Sequence, residues 1–268
     1  MATLKYKLTN DILFKMMFVQ YPDLLKRLVA ALLGIRVEDI TQFDISNPEM
    51  PPLGKDDKYC RLDIKMIVNG RHVDLEIQVE DERNYPERSL YNWAREYSSA
   101  LSKGKDYSEL PQTVVVSIVA FPLFGCEEFH SEFRALEVRR HEQLTDRMSL
   151  HYFELPKLPE AVRADDELIL WLSLFGAKTE EELERIEKME VPVMKEAIGA
   201  YRHVSATKEF QELERIRFEA TCNEASALNH ARWEGKVEVA KNLKAGGRMS
   251  VDEIALATGL TVDDILRL

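Results

Sequence analysis

No stretch of this sequence is apolar for long enough to span a bilayer. The longest runs, residues 113–121 and 168–176, fall well short of the roughly 20 residues a spanning helix needs. No apolar signal segment is visible at the N-terminus, so a cytoplasmic location and no membrane partner are expected. Cysteine is scarce: Cys60, Cys126 and Cys222 are far apart, odd in number and form no CxxC. That excludes a disulfide framework and a thiolate knuckle, and the three read as reduced thiols. The histidines show neither HxxH nor HExxH spacing, which argues against zinc. GxGxxG, P-loop and Ser or Cys nucleophile signatures are all missing, as is any internal repeat. Positive charge is also short. The net charge is −11, with 20 Lys/Arg against 25 Asp/Glu through Glu154 and 16 against 22 after it. Neither half is basic, so any nucleic-acid contact must be local.

What is present divides into a mixed part and a helical part. Thr9-Asn10-Asp11 offers caps for a helix carrying Ile12, Phe14, Met17 and Phe18. A second helical pattern over 21–33 stops at Gly34. A short strand is expected within 41–47, then a loop over 47–58 rich in proline and charge. A hairpin over 60–79 follows, then a helix from Pro86 to about Ser102. Residues 113–121, rich in β-branched side chains, predict a strand buried on both faces. Residues 129–139 and 148–155 predict another strand pair. From 160 to 243 the chain is almost free of glycine and rich in Glu, Lys, Arg and Ala, hence helical. Gly246-Gly247 sets off a tail over 250–268. The expected divisions are 1–159 (mixed α/β), 160–245 (helical) and 246–268 (a short helix-turn-helix-like tail).

The hairpin "RLDIKMIVNGRHVDLEIQVE" poses a problem. Asn69-Gly70 is a strong type I′ turn signal, since both positions need positive φ. Pairing then runs Val68 with Arg71, Lys65 with Asp74, and Asp63 with Glu76. One face is apolar: Leu62, Ile64, Met66, Val68, Val73, Leu75, Ile77, Val79. The other carries Arg61, Asp63, Lys65, His72, Asp74, Glu76, Gln78 and Glu80. Lys65 opposite Asp74 is a sensible pair. Two carboxylates directly opposed repel. Either the polar face is a solvated outer surface, or a hard divalent cation relieves Asp63 and Glu76, as Mg²⁺ does with one or two carboxylates.

Asp63 followed by Glu76-Ile77-Gln78 after a tight turn resembles the PD-(D/E)XK nuclease signature in its E-x-Q form. The segments "LTNDILFKMMF", "RSLYNWAREYSSALSKGKDYSEL", "VVVSIVAF" and "HYFELPKLP", in that order, resemble the recombination-promoting nuclease (Rpn) family, also called PD-(D/E)XK nuclease family transposases. The resemblance covers about residues 4–160, and the tail "MSVDEIALATGLTVDDILRL" fits it too. It implies a restriction-endonuclease-like α/β fold, a mixed sheet flanked by helices. It implies Mg²⁺, with Mn²⁺ able to substitute, held by Asp63, Glu76 and the Ile77 carbonyl, and DNA as substrate. Gln78 stands where the motif has lysine, so it can donate a hydrogen bond but brings no charge. Asp11, in the "ND..FK" segment, matches a family position, and a helix cap explains it equally well.

On the helix after the hairpin, Arg88, Tyr91/Asn92 and Arg95 share one face and could clamp a DNA phosphate; ordinary exposure is the plainer reading. The tail's second helix, with two aspartates against one arginine, would repel phosphates, so packing or oligomerisation suits it better. Three functions stay open at this point: a metal-dependent endodeoxyribonuclease linked to recombination, a non-catalytic DNA- or protein-binding relative, and an oligomeric interaction protein acting through its C-terminal helices.

Overall fold

A computed structural model describes residues 3–49, 63–101 and 103–268. Most of the loop expected over 47–58, the start of the first hairpin strand with Arg61 and Leu62, and Cys60 lie outside the described residues. Those described form two compact units, one reaching Gln211 and the other running from Glu212 to Leu268.

The first unit opens with α1 (Asp11–Gln20), capped by the Asn10 side chain, which accepts from Leu13 N–H. Helix α2 (Pro22–Leu33) starts on proline, whose fixed φ suits a first turn, and ends at Gly34 in the left-handed conformation at φ 64°. Strand β1 (Phe43–Ile45) is short. The hairpin is β2 (Ile64–Val68) and β3 (Arg71–Gln78), with Asn69 at φ 50° and Gly70 at φ 75° as the type I′ turn demands. Asn69 also fastens the turn to the loop before β1. Its Oδ1 accepts from Thr41 N–H and Gln42 N–H, and its Nδ2 donates to the Asp39 carbonyl.

A crossover through α3 (Tyr85–Ser99) leads to β4 (Thr113–Val119), which runs parallel to β3; every residue of β4 is buried. Strands β5 (His130–Phe133) and β6 (Met148–Glu154) pair antiparallel, and β6 lies parallel to β4. The result is one six-stranded mixed sheet in the order β1-β2-β3-β4-β6-β5. With helices flanking it, this is the restriction-endonuclease-like architecture.

The helical region after residue 159 is not uniform. Helices α4 (Glu167–Gly176), α5 (Glu180–Glu187) and α6 (Pro192–Ser205) belong to the first unit, where α4 packs on α2 and α6 on α1. Phe14, Phe18, Trp171 and Phe175 form an aromatic cluster among them. Helix α7 (Lys208–Gly246) runs from the first unit into the second. The second unit ends in α8 (Val251–Thr258) and α9 (Val262–Arg267), which enclose a small core of Val237, Ala240, Ile254, Leu260 and Ile265. Gly259, at φ 67°, makes the turn between them.

The sheet's alternation sorts the site. Asp74, Glu76 and Gln78 on β3 share a face with Val115, Ser117 and Val119 on β4 and with Leu150, Tyr152 and Glu154 on β6. Helix α3 covers this face. Tyr85 joins Val115, Val119, Phe121, Leu150 and Tyr152 in a core cluster, and Trp93 donates to the Thr113 carbonyl at 3.0 Å.

Candidate active site

The hairpin register is the one the turn dictates: Val68 with Arg71, Lys65 with Asp74, Ile64 with Leu75. One step beyond the last pair, the same register sets Asp63 opposite Glu76. At Asp74 and Glu76 this polar face is not a solvated outer surface. Asp74 is 3 % exposed and Glu76 is 6 % exposed, and the Asp63 side chain keeps 15 % of its surface. The cover comes from α3, whose inward stripe is Tyr85, Arg88/Ser89, Asn92 and Glu96. Six residues separate β3 from that helix, so its first two turns fall directly over the end of the strand.

Glu76 is gripped at both oxygens. Tyr85 O–H donates to Oε2 at 3.2 Å and Asn92 Nδ2 donates to Oε1 at 2.9 Å. Burial, and then the Glu76 charge, pushes the Tyr85 phenol well above its usual pKa, so it stays a donor. Gln78 is engaged at both ends of its amide: Arg88 Nη2 donates to Oε1 at 2.5 Å, and Nε2 donates to the Glu80 carbonyl at 2.9 Å. The pair expected between Lys65 and Asp74 needs correction. The two are register partners, but the Lys65 ammonium reaches Glu96 at 2.7 Å and the Asp63 carboxylate at 4.0 Å. The helix laid over the strand offers it a better-exposed carboxylate than the buried one across the ladder.

Asp74 is thereby left in an odd position. Its Oδ1 is buried with no hydrogen-bond partner. Burial, then the charges of Asp63 and Glu76, drives its carboxyl well above the usual range, and Lys65 only partly offsets them. The Asp63 side chain, close by, adds to the same shift. The backbone at Asp63 is held by the buried Lys15 of α1, whose Nζ donates to the Asp63 carbonyl at 3.2 Å, and by Asn47 Nδ2 at 3.1 Å.

Asp63 and Glu76 both bear on Asp74, and Gln78 lies two residues beyond Glu76 on the same face of β3. Successive residues of β3 aim their backbone groups at opposite neighbours, and the Gln78 carbonyl accepts from Ala120 N–H on the β4 side. The Ile77 carbonyl therefore points toward β2, the side on which Asp63 stands. Asp11 is the first residue of α1, and its Oδ1 accepts from Ile12 N–H, while the cap is Asn10. Arg88 reaches the site; Arg95 is exposed on α3, and Glu96 takes the inward position expected of it. Tyr85 was missed, and Asn92, expected to face a phosphate, holds Glu76 instead; Lys15 was also missed, and Asp74 was read only as the partner of Lys65. The signal was available for the first two: polar groups at Tyr85, Ser89, Asn92 and Glu96 recur at helical spacing on a stripe that also meets the core.

Asp63, Glu76 and the Ile77 carbonyl offer the hard oxygen donors that a divalent cation takes, with water filling the rest of its shell. The orphaned Asp74 Oδ1 beside two further carboxylates is the mark of a site short of positive charge, and the residues fit the ion. Among the described residues no group of three or more His, Cys, Asp or Glu is placed to hold a metal ion, so any ion here would rest on fewer side-chain ligands, with the backbone and water completing its shell. No helix among them is long and apolar enough to cross a membrane.

The family model described as PD-(D/E)XK nuclease family transposase matches residues 8–231, a span that holds the whole sheet and every residue of this site. No curated protein and no solved structure matches the chain.

Proposed function

The chain belongs to the PD-(D/E)XK nuclease family transposases, and from that membership we propose that it is a Mg²⁺-dependent DNA endonuclease acting at the Asp63–Glu76–Gln78 face. The observation that carries this reading is the treatment of Glu76. A buried carboxylate set opposite a second one would be expensive to keep, yet two donors from α3 hold it in one orientation. Such fixing is what a metal-ligating carboxylate needs. Asp63, Glu76 and the Ile77 carbonyl would hold the ion; when bound it lowers the pKa of a water and offsets charge on the phosphate. The chain's own part is to orient those oxygens, to keep the Tyr85 side of the site dry, and to present Gln78 beside the phosphate. Mn²⁺ would substitute, and the cytoplasmic location, the link to recombination and a homo-oligomer built through the C-terminal helices belong to the same reading.

Nicking of supercoiled plasmid tests it. Wild type should nick in millimolar Mg²⁺ and not in EDTA, and Asp63→Ala and Glu76→Ala should each abolish nicking. Activity that survives in Asp63→Ala would sink the assignment. A second reading, a binding relative without chemistry, is favoured by one observation: both ends of the Gln78 amide are already occupied. Wild type that binds DNA without metal-dependent nicking would select it.

A further inference from the structure

The motif's lysine is replaced by Gln78, so this face lacks a cation at the position where phosphate charge develops. We propose that Arg88 supplies that cation as a phosphate-contacting residue, that Gln78 is its positioning residue, and that Glu82 holds the place of a DNA phosphate oxygen. The inference rests on the nuclease reading of the site.

Three contacts fix the guanidinium. Its Nη2 donates to Gln78 Oε1 at 2.5 Å. Its plane lies over the Tyr85 ring, 4.9 Å from the centroid, and the same Tyr85 donates to Glu76. Its Nη1 is ion-paired with Glu82. The arginine is thus bonded to the residue that replaced the lysine and stacked on the residue that holds the metal-ligand carboxylate. Lys15 and Lys65 also stand near the site, but they are bonded to the Asp63 carbonyl and to Glu96.

The chemistry of the fork supports the same role. Arginine stays protonated, and its parallel N–H groups match a carboxylate or a phosphate equally well. Glu82 is an exposed carboxylate, 53 % accessible, in the segment between β3 and α3; the Arg88 side chain is 17 % accessible. An exposed ion pair is weak and screened by salt. A phosphate diester carries the same single negative charge as Glu82 and likewise offers two oxygens to the guanidinium, and DNA bound along this face would bring it to the end of β3. Displacement of Glu82 then leaves Arg88 on Gln78 with one fork open to the phosphate. Arg88 Nε is buried without a hydrogen-bond partner, so the fork's outer nitrogens do the contacting.

Binding of a fluorescent duplex oligonucleotide to the full chain in EDTA, across a salt series, reads the contact without cleavage. Arg88→Ala should weaken binding by about tenfold to a hundredfold and reduce the slope of log K against log salt by about one. Glu82→Gln, at an exposed position that does not threaten the fold, should tighten binding severalfold. An unchanged slope in Arg88→Ala with unchanged affinity in Glu82→Gln overturns the proposal, as does failure of wild type to bind at low salt. In the cleavage arm, Arg88→Ala should slow nicking, and Gln78→Lys added to it should recover the rate by restoring a cation. A double variant no faster than Arg88→Ala counts against the proposal. If wild type shows no nicking that depends on Asp63, the nuclease reading falls, and the binding arm still decides whether Arg88 meets phosphate.

Discussion

The Tyr85 hydroxyl donates to a carboxylate oxygen of Glu76 from nine residues along the chain, across the junction between a strand and the helix that folds back over it. The bond joins the core of α3 to a buried carboxylate of the acidic face. Tyr85 is fully buried and meets Tyr152 and Phe121 edge-on, so its position is set by packing before the hydrogen bond is considered.

Tyr85→Phe keeps that packing and removes only the donor. The expected cost is about 1–3 kcal/mol in denaturant unfolding, since a buried carboxylate loses one of its partners. Asn92→Ala should cost a similar amount through the other oxygen. Tyr91→Phe, on the exposed side of the same helix, should stay within about 0.5 kcal/mol of wild type. Equal values for all three would mean that the clamp on Glu76 contributes nothing.

Asp74→Asn should stabilise the protein at neutral pH without added metal. The folded carboxyl lies well above its ordinary value of 3.8, chiefly through burial. The folded state therefore holds a proton that the unfolded state releases once the pH passes the ordinary value. Wild-type stability should fall as pH rises above about 3.8, until the folded group has also titrated. Each unit by which the group is raised is worth about 1.4 kcal/mol. The asparagine removes this dependence, and urea midpoints from pH 4 to 8 for both proteins would show the two curves diverging upward in pH. Parallel curves would contradict the burial argument.

His151 should produce the opposite slope. It lies on the far face of the sheet, with Nδ1 at 3.1 Å from His130 Nε2 and Nε2 at 2.8 Å from Ser149 Oγ. Burial lowers its pKa from 6.5 to about 4, although Glu132 opposes the shift. Between those two values the unfolded state takes up a proton that the folded state refuses, so stability falls as pH drops from 6.5 toward 4. The loss is on the order of 3 kcal/mol at most, and His130 shifts in the same direction. His151→Gln should flatten the acid limb of the unfolding curve relative to wild type. A variant that loses stability over the same range as wild type would place the acid sensitivity elsewhere.

Local patterns were enough for the hairpin because its determinants are local. Asn69-Gly70 selects the turn, period-two alternation selects the faces, and together they set Asp63 opposite Glu76 without reference to any other element. The burial of β4 was legible for the same reason, since Thr113 to Val119 contains no residue that prefers water strongly. The Thr9-Asn10-Asp11 cap and Gly34 marked helix ends through backbone rules that act within one turn. What covers the acidic face was decided only by tertiary structure. A stripe of polar side chains at helical spacing on α3 says that one face is distinctive, but not that it lands on β3. Once it lands there, Lys65 turns to Glu96, Asp74 loses its expected partner, Asn92 and Tyr85 clamp Glu76, and Arg88 meets Gln78. Lys15 reaches the Asp63 carbonyl from 48 positions away. Hydrogen bonding and burial of this kind depend on which elements meet, and sequence periodicity carries the face of an element without carrying its neighbour.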